Sequence, residues 1–531
     1  MSALAGTAAL VRLALRRDRV VLPAFIVILV VMVAASASAT VKLYPDEASR
    51  VKIAAAVNSV TSTLAMYGPI HDETSSGALA TFKMGIMGAL AVAVLALFLV
   101  VRHTRAEEET GRLELLGATV VGRQAPLTAA LLVAGGASFV AGAGTALGLI
   151  AVGMPPAGSV LMGLGYGCLG VAFAAVAGVT AQLVKSARTA AGLAGGVLGV
   201  CYLLRAVGDA SAGSGLGRLS WLSPVGWWQQ TRPYAGDRWW VLALLLGLAV
   251  ALAALAYVLA ARRDFAAGLL ADRPGPATAA AGLRGPLALA WRLQRGSFFA
   301  WAAVFVVIGL VIGGLAANAG SFLTSPQAQD LITRLGGAKG LRDAFLAVEL
   351  GFSGVFAAVF GVQAAMRLCA EESALRAEPL LATAVGRVRW AWSHLTIALL
   401  GSALLLALVG VGAGLVSALQ VGDSGRLGVI VVAALVQIPA AWVIIGIVVA
   451  VFGLAPRLIV LGWVALVGFV LLGELGALFD LSQTVMDISP FAHVPRMPGG
   501  DFAAAPMVWL TVIAAGLIAI GLAGFRRRDV G

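Results

Sequence analysis

The 531-residue chain is 60% hydrophobic and 12% charged, with a formal net charge of +12 and a mean hydropathy of +0.97. Soluble domains carry about 25% charged residues, so a single water-surrounded core is excluded. The positive charge does not point to nucleic acid, because the arginines and lysines flank apolar runs instead of clustering on one soluble face. Apolar runs of about 20 residues, each able to cross the hydrocarbon as a helix, recur from end to end. They predict an all-α polytopic membrane protein with about twelve transmembrane helices, near residues 20–40, 81–101, 126–152, 157–184, 189–207, 241–261, 298–317, 344–366, 391–419, 427–452, 457–475 and 505–525.

The first span follows Arg16, Arg17 and Arg19 and ends in Ala35-Ser36-Ala37-Ser38-Ala39, a pattern shared with cleaved leader peptides. It is read here as a retained span. After the second span comes AEEETGRLELLGATVVGR (Ala106 to Arg123), and after the eighth comes AEESALRAEPLLATAVGR (Ala370 to Arg387), offset by 264 with 11 of 18 positions identical. The offset keeps Glu107 with Glu371, Glu108 with Glu372, Arg112 with Arg376, Glu114 with Glu378 and Arg123 with Arg387, which is the mark of an internal duplication. Ser223-Pro224 before the sixth span matches Ser489-Pro490 before the twelfth, and Arg262-Arg263-Asp264 matches Arg527-Arg528-Asp529. Each half opens with a basic amphipathic stretch, Ala9 to Arg19 and Leu287 to Arg295, suited to the membrane interface with its cations toward headgroup phosphates.

The predicted organisation is therefore a first six-span repeat at 1–270, a linker rich in Ala, Gly and Pro at 271–286, and a second six-span repeat at 287–531. With the amino terminus inside, the carboxyl terminus is inside too and the repeats run parallel. That orientation puts 24 of the 37 basic residues on the inner side and 13 outside, as the positive-inside rule favours.

Within the repeated loop, Glu108 and Arg112 are spaced i,i+4, as are Glu372 and Arg376, so each pair is expected on one helix face. An exposed pair of this kind contributes only about 0.3–0.5 kcal/mol. The loop is either a solvated interfacial helix or a docking helix presented once per half to a twofold partner. Pro379 in the second copy replaces Leu115. Five tryptophans, Trp221, Trp227, Trp228, Trp239 and Trp240, fall between spans five and six, as an aromatic belt or a more specific external element, with His493 in the place of Trp227 in the second copy. Arg205 and Glu474 end spans five and eleven one position apart in the repeat, and either pair across the repeat axis near an outer gate or snorkel separately to the headgroups. Glu349, His394 and Gln437 are further polar groups within spans. Cys168, Cys201 and Cys369 have no CxxC spacing and the four histidines are scattered, so no metal, haem or histidine-based catalyst is expected. Gly163-xxx-Gly167, Gly192-xxx-Gly196 and Gly410-xxx-Gly414 fit close helix packing.

The paired loop motifs EEETGRLELL with GATVVGR and EESALRAEPL with ATAVGR, the basic stretch opening each half and the two Ser-Pro elements together resemble the ABC-2 type (type V) ABC exporter permeases. The likeness is to the duplicated twelve-span form of the antibiotic and multidrug exporter group, and it covers essentially the whole chain. It implies that the loop after the second span of each half is a coupling helix that inserts into an ATP-binding subunit. On that reading Glu107, Glu108, Arg112, Glu114 and Arg123, with Glu371, Glu372, Arg376, Glu378 and Arg387, touch or shape the contact. It also implies an external hairpin capping a central cavity, around Ser223, Pro224 and Trp227 and around Ser489, Pro490 and His493; Arg205, Glu474 and Glu349 are candidates for an outer gate or pathway by their positions in the spans.

No G-x-x-x-x-G-K-[ST] phosphate loop is present, since Gly336-Gly337-Ala338-Lys339-Gly340 lacks both the spacing and the hydroxyl, and the longest inner segment has 36 residues. The expectation is a transport subunit without its own ATPase site, with ATP and magnesium bound by two copies of a separate ABC ATP-binding subunit. The expected activity is alternating-access export of hydrophobic or amphipathic drugs or antibiotics across the cell membrane. The alternative is a twelve-span secondary active transporter driven by an ion gradient. That alternative expects an acid well inside a span, whereas Glu349 and Glu474 lie toward outer ends.

Overall fold

The structure is a computed structural model that describes residues 2–59, 61–117, 119–211, 215–264, 267–270, 277–317, 337–475 and 482–529. Among these the only regular secondary structure is helical, and 11 helices are long and apolar enough to cross a membrane. The chain divides into two compact units, Met1–Gly275 and Pro276–Gly531.

In the first unit the amphipathic helix α1 (Thr7–Arg17) precedes α2 (Val21–Leu43), and two short helices, α3 (Glu47–Asn58) and α4 (Thr61–Tyr67), follow it. The second span is α5 (Ser76–His103); after it come the short loop helices α6 (Arg105–Glu109) and α7 (Arg112–Gly117). Spans three to five are α8 (Ala125–Ala151), α9 (Pro156–Leu183) and α10 (Ala187–Ala210), then the short α11 (Pro224–Gln230) leads to the sixth, α12 (Val241–Arg262). Helix α9 is the hub, packed by α5, α8, α10 and α12. Small residues make the approach possible: a Cβ on Gly142 of α8 would sit 2.1 Å from the carbonyl oxygen of Gly163 on α9, and one on Gly163 would sit 2.4 Å from that of Gly142. Gly167 receives the ring of Phe139, while Gly192 and Gly196 face open space and make no such crossing.

The second unit begins with α13 (Pro286–Ala317), into which the basic stretch Leu287 to Arg295 runs without a break, unlike its counterpart α1. Helix α14 (Gly337–Ala365) is followed by the loop helices α15 (Arg367–Ser373) and α16 (Ala377–Leu381), then by the long α17 (Arg387–Val421). The predicted tenth span is interrupted, with α18 (Gly425–Leu435) and α19 (Ile438–Leu454) meeting at Gln437 because Pro439 in the first turn of α19 has no N–H to continue the ladder. The predicted eleventh span is α20 (Leu461–Leu475), whose apolar stretch Leu461–Gly473 is shorter than the other eleven, since a 3₁₀ turn at Pro456–Leu458 takes up the start of the predicted run. The last span is α22 (Ala504–Arg527), preceded by α21 (Gln483–Met486) and a 3₁₀ turn at Pro490–His493. Helices α19 and α22 pack backbone to backbone, a Cβ on Gly453 falling 1.9 Å from the carbonyl oxygen of Gly521. The start of the predicted linker, 271–276, and Gly336 lie outside the described residues.

Candidate functional site

The repeated loop is two short helices joined by one left-handed residue. In the first unit α6 stops at Glu109 and Gly111 takes φ 72°; in the second α15 stops at Ser373 and Leu375 takes φ 56°. The two left-handed residues are 264 positions apart, the offset of the motif itself. In the second copy the turn is a Schellman-type cap, with the N–H of Arg376 donating to the carbonyl of Glu371 at 3.0 Å. The break moves the expected i,i+4 pairs. Arg112 does not share a helix face with Glu108 and lies instead 3.7 Å from a carboxylate oxygen of Glu107, while Arg376 reaches Glu371 at 2.8 Å.

Glu108, freed from Arg112, is turned into the unit, its side chain 7% exposed. Both nitrogens of the Arg263 fork, just past the end of α12, bind its two oxygens, and Arg105 adds a third contact at 2.5 Å. Arg263 Nε donates to Gln182 at the end of α9 at 2.6 Å. In the second unit Arg528, just past α22, grips Glu372 with two parallel hydrogen bonds of 2.6 Å, the bidentate geometry in which an arginine–carboxylate pair is strongest. Its guanidinium lies over the rings of Phe452 and Phe525, at 4.9 and 5.2 Å, so the end of α19 is drawn into the cluster.

The other end of the motif closes on the same two arginines. Arg123 donates to the carbonyl of Arg263 at 2.6 Å, and Arg387 to the carbonyl of Arg528 at 2.6 Å. These carbonyls terminate α12 and α22, where the helix has no amide of its own to offer and a cation is favoured.

Further attachments belong to the first unit. Glu107 accepts from Arg17 of α1 at 2.6 Å, and Glu109 accepts the first amide of α10, Ala187 N–H, at 3.1 Å. Asp18, fully buried at the elbow between α1 and α2, lies 2.6 Å from His103 Nε2 and 3.1 Å from Arg102. The N-terminal segment is stitched to the loop by Gly122 N–H to the carbonyl of Ala5 at 2.9 Å, an approach only glycine permits, since a Cβ there would sit 2.2 Å from the Ala3 oxygen. In the second unit Gln294 meets His394 at 3.1 Å.

What remains on the outside of the loop is a mixed strip. Arg112 is 58% exposed and Leu115 75% exposed beside the exposed Glu114; Leu375 is 60% exposed and Arg376 57% exposed beside the exposed Glu378. Of the ten residues expected to touch or shape a partner contact, Arg112, Glu114, Arg376 and Glu378 thus face outward, and Glu107, Glu108, Arg123, Glu371, Glu372 and Arg387 hold the loop from behind. The sequence does not mark Leu115, Leu375, Arg263 or Arg528 as parts of this site. The two arginines were visible in the repeat, but nothing in the sequence tells which glutamate 155 or 156 residues away they meet.

At the opposite end of the first unit, Arg205 on α10 is fully buried. It lies 2.9 Å from Asp209, donates to Gln229 on α11 at 2.6 Å and to the carbonyl of Ala65 on α4 at 3.0 Å. Ser223 caps α11 by accepting the amide of Val225 at 3.1 Å, and its hydroxyl donates to the Cys201 carbonyl at 2.6 Å. Pro224 opens that helix and Trp227 donates to the Trp221 carbonyl at 2.6 Å. A cavity of about 60 Å3 lies among Tyr67, His71, Phe82, Trp228, Gln229 and Arg232. Burial, then the cations of Arg232 and Arg238, push the His71 imidazole down to about 4.

In the second unit Ser489 donates to the carbonyl of Phe469 at 3.3 Å, Pro490 opens the 3₁₀ turn, and His493 bonds the carbonyl of Asp487 at 2.7 Å with its ring 4.8 Å from that of Trp509. Glu349 is half-buried on α14. The side chain of Glu474, which the sequence offers either as a partner of Arg205 or as a separately snorkelling group, lies outside the described residues. Among the described residues no group of three or more His, Cys, Asp or Glu is placed to hold a metal ion.

A family model described as the C-terminal domain of the multidrug efflux system permease Rv1217c matches residues 283–526. Over 532 aligned residues the chain is 48% identical to the multidrug efflux system permease protein Rv1217c of Mycobacterium tuberculosis, covering 100% of this chain and 96% of that relative. With its many apolar helices, the chain belongs to this family of multidrug efflux system permeases.

Proposed function

We propose that this permease is the transmembrane subunit of an ATP-driven ABC exporter, with ATP and magnesium bound by two copies of a separate nucleotide-binding subunit. The observation that carries the reading is the exposed strip on each loop, Arg112-Glu114-Leu115 and Leu375-Arg376-Glu378. A leucine more than half exposed beside an exposed arginine and an exposed glutamate, on a loop fixed from behind, is the composition of a docking contact. Two such strips, one per unit, suit two copies of one partner.

On this reading both loops and both termini face the cytoplasm of a cell membrane, and the units act as parallel six-span repeats. Binding and hydrolysis on the partner push the loops, and the halves alternate between inward and outward access. The substrate class, hydrophobic or amphipathic drugs, is supported by the name of the mycobacterial relative, a multidrug efflux system permease, and by the apolar helices. The test is co-purification from native membranes of the unaltered chain and of a variant carrying Arg112→Glu and Arg376→Glu. The first brings down an ATP-binding protein and the second does not; equal recovery with both removes the loops as the docking site.

A further inference from the structure

Among the contacts that hold the loops, only some recur in both units. Arg105, which supports Glu108, has Cys369 at its counterpart, and Glu109, which caps α10, has Ser373. The N-terminal helix that reaches Glu107 is a separate element only in the first unit. What both units share is the grip on the residue after the last span: the second glutamate of the motif on its side chain, and the last arginine of the motif on its carbonyl oxygen.

We propose that Arg263 and Arg528 are positioning residues for transport, making the loop of each unit one rigid body with its last span, so that displacement of the loop is delivered to α12 and α22. This rests on the exporter reading above. The physical argument is the two-point attachment. A single contact leaves the loop free to swing about it, whereas here the upstream helix is fixed to the guanidinium and the downstream segment to the carbonyl of the same residue. The side-chain pairs are largely buried, at 11% and 7% exposure for Arg263 and Glu108 and 20% and 13% for Arg528 and Glu372. Such a pair adds little net stability over an apolar pair of similar size, yet its planar fork fixes orientation. Geometry, more than stability, is what the recurrence preserves. Gln182 at the end of α9 and Phe452 at the end of α19 extend each clamp to the fourth span of its unit.

The experiment replaces the side-chain clamp by a covalent one. In a chain lacking Cys168, Cys201 and Cys369, the pairs Glu108→Cys with Arg263→Cys and Glu372→Cys with Arg528→Cys are made together. The variant is reconstituted with its ATP-binding subunit and treated with a short, reducible bifunctional thiol reagent. Transport per ATP hydrolysed is expected to fall about tenfold without the reagent, within the range of coupling between distant sites, to recover when the thiols are bridged, and to fall again on reduction. Transport that stays low or stops when the thiols are bridged overturns the proposal, because the loop then has to move against its last span. Should the cysteine variant not fold, the charge swap Glu372→Arg with Arg528→Glu, made in the second unit where Cys369 stands in place of Arg105, reads the same ratio: recovery relative to the single reversals supports the clamp, and no recovery overturns it. The unaltered chain, run under ATP and under a proton gradient, separates the two levels. Transport that needs only the gradient removes the exporter reading and this proposal with it, whereas ATP-driven transport with a failed bridge removes the proposal alone.

Discussion

Glu372 and Arg528 meet through two parallel hydrogen bonds of 2.6 Å, across 156 residues of sequence, and Glu108 and Arg263 meet in the same way across 155. Truncating Arg528 leaves a largely desolvated carboxylate without this cation, whereas Glu108 keeps Arg105 when Arg263 is truncated. Arg528→Ala is expected to destabilise the protein by about 1–3 kcal/mol, read as a lower midpoint of thermal unfolding in detergent. Arg528→Lys keeps the charge but loses the second hydrogen bond, and falls between the two.

Leu375 holds a left-handed conformation at φ 56°, where an L side chain costs roughly 1–2 kcal/mol and glycine nothing. Leu375→Gly is expected to raise the unfolding midpoint of the second unit while removing the exposed leucine from the docking strip. Gly111→Ala has open space around its Cβ, so only the φ of 72° opposes it. It is expected to cost about 1 kcal/mol. A gain in stability from Gly111→Ala contradicts the observed turn.

Hydropathy made the spans legible, because a helix that must cross hydrocarbon declares itself by length and composition. The interruption at Gln437–Pro439 and the short run Leu461–Gly473 were less so, since both sit inside continuous apolar sequence where only the proline and a 3₁₀ turn redirect the chain. The loop motif was legible as a repeat, but its internal geometry was not. Expecting one helix from Glu108 to Arg112 was reasonable until Gly111 turned left-handed, and a leucine at the matching position gave no hint that it would do the same. The partners of Glu108 and Glu372 were hidden for a different reason: they depend on how the sixth helix of each unit returns, which local pattern does not encode.

Arg205 and Asp209 form a fully buried ion pair of 2.9 Å that also binds Gln229 and the chain at Ala65. Arg205→Ala strands the carboxylate and is expected to cost about 3–5 kcal/mol. Replacing both, with Arg205→Met and Asp209→Leu, is expected to recover most of that loss. Equal destabilisation by the single and double variants, measured by chemical denaturation, contradicts the pairing.

His71 titrates at about 4 in the folded chain and near the ordinary 6.5 once unfolded. Between those values the unfolded chain takes up the proton first, so stability is full above about 6.5 and is lost as pH falls toward 4. His71→Gln is expected to flatten the decline in unfolding midpoint between pH 6.5 and 4.5. An unchanged slope in that variant assigns the acid sensitivity to other groups.

On the exporter reading, transport depends on a separate ATPase docked on the two loops. The most direct measurement is the mass of the intact complex purified from its native membrane in mild detergent, alongside its ATP hydrolysis. One permease chain with two copies of an ATP-binding subunit is expected, with loss of both copies when Arg112 and Arg376 are reversed to glutamate. A permease that comes out without an ATP-binding partner and still transports drugs under an ion gradient contradicts it.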